Sequence, residues 1–289
     1  ALWTAATGAT PIGIALDASG SVYTANYSAG TVTRITPSGV ASEFATTGLG
    51  PHAVAVDADG NVYTANRVAG TVTKFNAAGT LQWSRDTDAG PSGIAIDAKG
   101  AGTADDVIYT ANTADGTVTK ITSGGVVTDP FATIGTGPAA IAVDAAGNVY
   151  TANANANTVT KITSGGTVTD PYKTTGAGPV AIAVDATGIL YTADQAGSTV
   201  TKIAADGTRT LDWAVLEALS GNCTGSVIAP AVILTAAHCT VDTLKIPAIA
   251  GVARPGVIAA SDTDTQRNWD IAELLPHPGY DPETLQNDV

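Results

Sequence analysis

The sequence predicts an all-β fold, and three observations carry that prediction. A unit of about 40 residues recurs five times within residues 1–210. Each unit is built from short β-branched runs, and Thr-Val-Thr-Lys-Ile alternates with the period of two that a half-buried strand requires. The runs are separated by turn residues, and the chain of 289 residues contains 32 glycines and 14 prolines. No stretch shows a convincing helical period, so a solenoid of helix pairs is excluded.

The repeated unit is marked by four features in a constant order. Each copy opens with a Pro, passes through an Asp-x-x-Gly turn, reaches Tyr-Thr-Ala-Asn (Asp in the last copy), and continues into Thr-Val-Thr-Lys or Thr-Val-Thr-Arg. The tyrosines are 40, 46, 41 and 41 residues apart, and an insertion at residues 101–106 explains the long third spacing. These tyrosines are Tyr23, Tyr63, Tyr109, Tyr150 and Tyr191.

Four short strands fit into each unit, which is the size of one propeller blade. The first strand, Ala-Ile-Ala-Val in the fourth copy, is small and apolar throughout, as a crowded inner strand should be. The sequence therefore predicts a five-bladed β-propeller as a first domain, residues 1–210. The units resemble the NHL and YVTN classes of propeller repeat, which read roughly P-x-x-I-A-V-D-x-x-G-N-V-Y-V-A-N. That resemblance implies a fold and leaves the function open, since propellers host unrelated chemistries.

The start of the repeat array leaves two alternatives. Trp83 stands 14 residues before the turn Asp97, in an outer strand, and Trp3 stands 14 residues before Asp17. Residues 1–7 therefore read as an outer strand without a blade of its own. Either this strand pairs with the fifth unit and closes the ring, within the chain or by strand exchange with a second copy, or further blades precede it. Closure is the favoured prediction, because it removes an open edge.

Composition excludes several classes of partner. The chain has 13 basic and 26 acidic residues, a formal net charge of −13, which argues against binding to nucleic acid or anionic membranes. No run of 18 apolar residues occurs, so no membrane span is predicted. The repeats carry no paired carboxylates, His cluster or nucleotide-type Gly loop, and the sequence therefore predicts no metal site and no cofactor.

Residues that recur in every copy are predicted to be structural. The turn aspartates are expected to bond nearby backbone N–H groups as Asx turns. The Asn that follows Tyr-Thr-Ala is expected to bond neighbouring loops. The aspartates are Asp17, Asp57, Asp97, Asp144 and Asp185, and the second set is Asn26, Asn66, Asn112, Asn153 and Asp194.

Residues that break the repeat symmetry are the candidates for binding. His52 is the only His of the repeats, and Arg67 in the same unit is a cation where the other copies are uncharged. A ligand contact through His52 and Arg67 is one interpretation, and a solvated loop pair is the favoured one. The counterparts of His52 are Ile12, Ser92, Ala139 and Val180, and those of Arg67 are Tyr27, Thr113, Ala154 and Gln195.

The pattern changes after Thr210, and residues 211–289 form the second predicted domain. The run Cys223-Thr-Gly-Ser-Val-Ile-Ala-Pro-Ala-Val-Ile-Leu-Thr-Ala-Ala-His238-Cys239 belongs to no repeat. It resembles C-G-G-S-L-I-x-x-x-W-V-L-T-A-A-H-C of the trypsin-like (chymotrypsin-family) serine peptidases. Downstream, His277-Pro-Gly-Tyr-Asp-Pro-Glu-Thr-Leu-Gln-Asn-Asp288 resembles the H-P-x-Y-x-x-x-T-x-x-N-D of that family. The resemblance implies an incomplete trypsin-like β-barrel, with 211–216 as its first strand.

The resemblance also implies roles for individual residues. His238 matches the general base that takes the proton of a serine nucleophile, and Asp288 matches the carboxylate that orients it. Cys223 and Cys239 match a disulfide, which in turn implies an oxidising compartment and a secreted, extracellular protein. Ser226 matches a structural serine of the family, and His277 is expected to be a loop residue without a catalytic role.

One departure from the family decides what this chain is expected to do. The nucleophile of the family sits in a G-D-S-G-G motif, and the 289 residues contain none. The serine is therefore expected beyond residue 289, and this chain alone is expected to be inactive. The preferred interpretation is a secreted trypsin-like peptidase homologue with a binding propeller, whose complete parent acts on protein or peptide substrates. The alternative is a non-catalytic extracellular binding or structural protein with a peptidase-like docking tail.

Overall fold

The structure is a computed structural model that describes residues 4–99, 105–215, 225–229, 232–235 and 251–253. The chain divides into two units, Ala1–Trp213 and Ala214–Val289. Every regular element in the described residues is a β-strand, as the sequence predicts. Across these same ranges the structure has no helix that could cross a membrane.

The first unit consists of five antiparallel sheets, each made from four strands that follow one another in the chain. Blade 1 is β1 (Pro11–Leu16), β2 (Val22–Asn26), β3 (Thr31–Ile35) and β4 (Ala41–Thr46). Blade 2 is β5 (Pro51–Val56), β6 (Val62–Asn66), β7 (Thr71–Phe75) and β8 (Leu81–Asp86). Blade 3 is β9 (Pro91–Asp97), β10 (Val107–Asn112), β11 (Thr117–Thr122) and β12 (Val127–Thr133). Blade 4 is β13 (Pro138–Val143), β14 (Val149–Asn153), β15 (Thr158–Ile162) and β16 (Val168–Thr174). Blade 5 is β17 (Pro179–Val184), β18 (Leu190–Asp194), β19 (Thr199–Ile203) and β20 (Arg209–Val215). The five predicted blades are therefore confirmed.

The turn between the first two strands of a blade is built around its aspartate. Asp57 Oδ1 accepts the backbone N–H of Asp59 at 3.0 Å and of Asn61 at 2.8 Å. Its other oxygen accepts the hydroxyl of the buried Tyr63 at 2.9 Å. Asp17 and Asp144 bond their own turns and tyrosines in the same way. The predicted Asx turns are confirmed at Asp17, Asp57, Asp144 and Asp185. In blade 3 the prediction fails, because the backbone N–H of Lys99 donates to Asp106 Oδ1 at 2.7 Å and not to Asp97. The tyrosine is a partner that the sequence analysis did not foresee.

A second polar network ties the second strand of each blade to the third. Asn66 Nδ2 donates to Thr71 Oγ1 at 3.1 Å and to Thr73 Oγ1 at 2.9 Å, and all three side chains lie on the same hairpin. Asn26, Asn112 and Asn153 make the matching pair of bonds. The main partners are thus threonines of the same blade. The predicted bond to a neighbouring loop occurs at two members of the set: Asn66 Oδ1 accepts from Thr47 at 3.1 Å, and Asp194 Oδ2 accepts the Gly176 N–H at 3.1 Å.

The apolar core lies between blades. Tyr63, Val72 and Trp83 of blade 2 pack against Ile108 and Ile121 of blade 3, and all five are buried. Equivalent clusters join blades 1 and 2, blades 3 and 4, and blades 4 and 5. Burying one such side chain contributes about 1.5–3 kcal/mol. The blades are therefore held together chiefly by the faces that they present to each other.

The predicted ring closure is wrong. The inner strands pack side by side in the order β1, β5, β9, β13 and β17, but β17 and β1 do not pack against each other in this way. Residues 4–10 form no strand, and the outer position of blade 5 is taken by β20. β20 also covers most of residues 211–216, expected as the first strand of the peptidase-like portion, and it belongs to the propeller sheet instead. Strand exchange with a second copy stays a prediction.

The second unit contains one described sheet. Its three antiparallel strands are β21 (Gly225–Ala229), β22 (Val232–Thr235) and β23 (Gly251–Ala253), in that order. In the register, Ser226 faces Leu234 and Ile233 faces Ala253, with a bulge between Val227 and Ala229. The two strands that form the hairpin lie inside the peptidase-like motif.

Close packing of the inter-blade connections predicts the effect of adding a methyl group at Gly48. A Cβ at this position would lie 2.7 Å from Asn66 Nδ2, inside the contact limit of real side chains. We expect Gly48→Ala to lower the free energy of unfolding by about 1–3 kcal/mol. The control is Gly124→Ala, where the nearest atom is 3.9 Å away. Equal stability of the two variants in urea denaturation would contradict the packing described here.

The turn aspartates predict how stability depends on pH. Burial acts to raise the pKa of Asp144, but hydrogen bonds from Asn148, Tyr150 and Ala146 outweigh it and hold the pKa below 3.8. A lowered carboxyl pKa contributes stability above 3.8, and this contribution is lost as pH falls through the value of the folded state. We therefore expect the Tm of Asp144→Asn to fall less steeply than that of the wild type below about pH 5. The control is Asp86→Asn, at an exposed position. If the Tm of Asp144→Asn fell as steeply as that of the wild type, the hydrogen bonds of the turn would not lower the carboxyl pKa.

Candidate functional site

A cavity of about 410 Å³ lies where the inner strands of all five blades converge. Its wall is formed by residues near the start of β1, β5, β9, β13 and β17, most of them Gly, Ala, Val or Ile. His52 and Ser92 are the exceptions. Because the inner strands are made of small residues, they can approach one another closely around the cavity. The cavity therefore follows directly from the repeat sequence. The five inner strands thus line one open cavity whose wall is mainly small and apolar.

His52 is held in the cavity wall by a neighbouring blade. Its Nδ1 lies 2.7 Å from the backbone carbonyl oxygen of Ser92. A carbonyl oxygen can only accept, so Nδ1 carries the proton and Nε2 of the neutral ring is an acceptor. The ring of Tyr27 stands edge-on to the imidazole, with the centroids 6.4 Å apart.

Electrostatics keep this imidazole neutral. Burial is the main cause that lowers the pKa of His52 below 6.5, and the charge of Arg67 lowers it further. The hydrogen bond to Ser92 acts in the opposite direction and is outweighed. At neutral pH the site therefore offers one uncharged acceptor in a largely apolar wall, which suits a ligand with a hydrogen-bond donor.

Arg67 lies nearby but does not share the wall. It follows β6 at the surface, its side chain is exposed, and its backbone N–H donates to the Gly50 carbonyl at 2.8 Å. The structure thus brings the two predicted residues close enough for their charges to interact. It places His52 in the wall of the cavity and Arg67 among the surface loops. Whether they contact one ligand stays a prediction.

The peptidase-like site residues fall outside the described residues. These are Cys223, His238, Cys239, His277 and Asp288. Two described strands lie close to these residues in the sequence. β21 begins two residues after Cys223, and β22 ends three residues before His238. The disulfide, the general base and the orienting carboxylate stay predictions.

One polar feature of the propeller was missed by the sequence analysis. Asp88 occupies a position that is Gly in the other four copies, and its Oδ2 accepts from Thr117 at 2.7 Å. Burial raises the pKa of the nearby Asp129, Thr119 lowers it with a hydrogen bond of 2.7 Å, and the charge of Asp88 raises it. The loss of a repeated Gly was the available signal. Within the described part of the chain, no three His, Cys, Asp or Glu residues are placed to hold a metal.

The electrostatic link between Arg67 and His52 can be measured. We expect Arg67→Gln to raise the pKa of His52, because it removes a like charge, while the value stays below that of a free imidazole because burial persists. Titration of the imidazole C–H signals by NMR gives both values, with Arg85→Gln as a control on blade 2. An unchanged His52 pKa in Arg67→Gln would show that the two side chains are electrostatically independent.

Comparisons with known proteins agree with the two parts of the chain. Residues 202–289 match the family model described as Trypsin. Streptogramin B lyase shares the propeller fold with a TM-score of 0.63 at 19% identity, over 79% of this chain and 76% of that chain. A catalytically inactive His-to-Ala variant of virginiamycin B lyase from Staphylococcus aureus, with quinupristin, gives 0.63 at 18% identity over 81% and 79%.

A chain of a nidogen/laminin complex has a TM-score of 0.56 at 17% identity, over 69% of this chain and 78% of that chain. None of the curated proteins matches the chain. At these identities the structural likeness establishes the fold alone. The chain therefore combines five blades of a YVTN/NHL-like β-propeller with a carboxy-terminal segment that matches the trypsin family.

Proposed function

We propose that this chain belongs to a secreted trypsin-like serine peptidase homologue in which the propeller binds or positions a partner. The peptidase portion would supply His238 as general base and Asp288 as its orienting carboxylate. The serine nucleophile would come from sequence beyond residue 289. The complete parent would cleave protein or peptide substrates by acyl transfer to water.

The observation that carries this proposal is the order of the peptidase motifs inside the matched segment. Residues 202–289 match the family as one continuous stretch. Within it, the His238 and Asp288 motifs follow each other at roughly the spacing of the family. The hairpin β21–β22 supports the same interpretation, because it lies within the first peptidase-like motif and its second strand ends three residues before His238 in the sequence. A single His beside a Cys would carry far less weight than these motifs in sequence.

The chemistry explains why both residues are needed. A Ser hydroxyl is a weak nucleophile until a neutral imidazole accepts its proton. A carboxylate fixes the tautomer of that imidazole and stabilises the cation that forms. Without a nucleophile and an oxyanion hole, base and carboxylate have nothing to act on. The 289-residue chain is therefore proposed to be inactive by itself.

The binding role of the propeller is supported by the central cavity. His52 Nε2 is an acceptor in a wall of small apolar residues, and its Nδ1 proton is already committed to Ser92. Such a site recognises a donor without adding charge. A partner held there would be tethered to the peptidase portion through the same polypeptide.

A second candidate function is a non-catalytic extracellular scaffold with a peptidase-like tail. The repeated Asp, Asn and Thr networks favour it, because they suit a durable structural domain. The two functions differ in whether a serine nucleophile ever joins His238.

Activity measurements separate these candidates. We expect the 289-residue chain to show no labelling by a fluorophosphonate and no ester turnover above that of its His238→Ala variant. We expect a chain extended with its native downstream residues to hydrolyse a peptide ester. In that extended chain, Asp288→Asn should lower kcat by roughly 10⁴, because the tautomer is no longer fixed. The matched control is Asp281→Asn in the same motif.

Two results would contradict the proposal. Labelling of the 289-residue chain that disappears in His238→Ala would show that a serine within it completes the site. A downstream sequence without a nucleophile motif would favour the scaffold instead.

A further inference from the structure

Each blade has two apolar faces, and neighbouring blades join them in one fixed way. We call the first the Ala/Val face, which in blade 1 contains Ala25 of β2 and Val32 of β3. We call the second the inner-strand face, which in blade 2 contains Val54 and Val56 of β5. In the cluster between these blades, the four residues pack together. The same face-to-face contact recurs at the other three interfaces of the chain.

The Ala/Val face of blade 5 lacks this cover. The Ala and the Val of the face are 0% exposed in each of blades 1 to 4. Their counterparts in blade 5 differ, since Ala193 is exposed and Val200 is half-buried. The residues of the four covered faces are Ala25, Val32, Ala65, Val72, Ala111, Val118, Ala152 and Val159.

The inner-strand face of blade 1 is uncovered in the same manner. Ile14 is 67% exposed, whereas Val54 and Ile141 at the equivalent position are 7% exposed. Leu16, two residues later in the same strand, is 65% exposed. Blades 1 and 5 therefore present the two halves of an interface that the chain makes four times elsewhere.

The chain also enters blade 1 along the path of an inter-blade connection. In the connection from blade 1 to blade 2, a Cβ on Gly48 would lie 2.7 Å from Asn66 Nδ2, and ahead of β1 a Cβ on Gly8 would lie 2.7 Å from Asn26 Nδ2. The Thr10 carbonyl accepts the N–H of Tyr27 at 2.8 Å, as Gly50 accepts from Arg67 at 2.8 Å. Thr10 even adopts φ 57°, close to the 64° of Gly50.

We propose that the gap between blades 5 and 1 is a docking surface for at least one further blade of the same repeat, joined to the chain ahead of β1. Such a blade would lay its Ala/Val face on Ile14 and Leu16. The inner-strand face of the first blade of the completed ring would cover Ala193 and Val200. The repeat class of the occupant follows from the four identical interfaces, since each uncovered face has the chemistry of its covered counterparts.

The position ahead of β1 follows from the order of the faces. In every interface, the inner-strand face belongs to the later blade and the Ala/Val face to the earlier one. The uncovered inner-strand face of blade 1 therefore calls for an earlier blade. Blade 5 is followed by a segment that carries no repeat and matches the trypsin family.

The test adds blades to the chain and measures how far they shield position 16 from a maleimide reagent. One or two copies of residues 138–178, blade 4 with its connection, are placed directly ahead of Pro11. Maleimide labelling of Leu16→Cys should become at least tenfold slower with an added blade. Labelling of the control Val126→Cys, which is 69% exposed on a turn of blade 3, should not change. Parent chains without the added Cys give the background from Cys223 and Cys239.

Three results would overturn the proposal. The first is an unchanged labelling rate of Leu16→Cys with either one or two added blades. The second is a 289-residue chain that self-associates in light scattering and becomes monomeric in Leu16→Glu, because a second copy would then cover the face. The third is a native coding sequence ahead of Ala1 that lacks the Asp-x-x-Gly turn and the Tyr-Thr-Ala-Asn run. Ala193→Cys reports how many blades complete the ring. The ring is complete at the number of added blades, one or two, that slows maleimide labelling of this cysteine.

Discussion

The structure depends on one interaction, the packing of the apolar face of one blade on the inner-strand face of the next. A four-stranded sheet of five- to seven-residue strands has little core of its own, so each blade is stable only when its faces are covered. Ala and Val on one side meet Val and Ile on the other, and an outer aromatic such as Phe44 or Trp83 extends the contact.

The repeated Asp and Asn networks act mainly within each blade and fix its geometry. Asp57 shapes the turn between β5 and β6, and Asn66 ties β6 to β7 through two threonines. A buried Asn or Asp is costly unless its hydrogen bonds are made, so these networks also select against other registers. The central cavity and the neutral His52 are consequences of the same arrangement, because five small inner strands can approach a common axis.

The sequence predicted the blades, their strands and the turn aspartates because each is encoded within one repeat. Tyr63 as a partner of Asp57 was missed, since a bond between residues six apart is not visible in strand alternation. Ring closure was predicted wrongly from the spacing between Trp3 and Asp17. Whether two distant blades meet depends on the rotation between successive blades, and that quantity is not written in any single repeat. The roles of His238 and Asp288 rest on resemblance to a family, since local patterns do not show which residues a barrel brings together.

The most direct test of this account is amide hydrogen exchange resolved strand by strand. Exchange protection reports the free energy of local opening, and a blade covered on both faces should open less readily than a blade covered on one. The account predicts graded protection, with β6, β10 and β14 of the inner three blades exchanging more slowly than β2 of blade 1 and β18 of blade 5. Equal protection of all five second strands would contradict it, because that result requires a ring in which every face is covered.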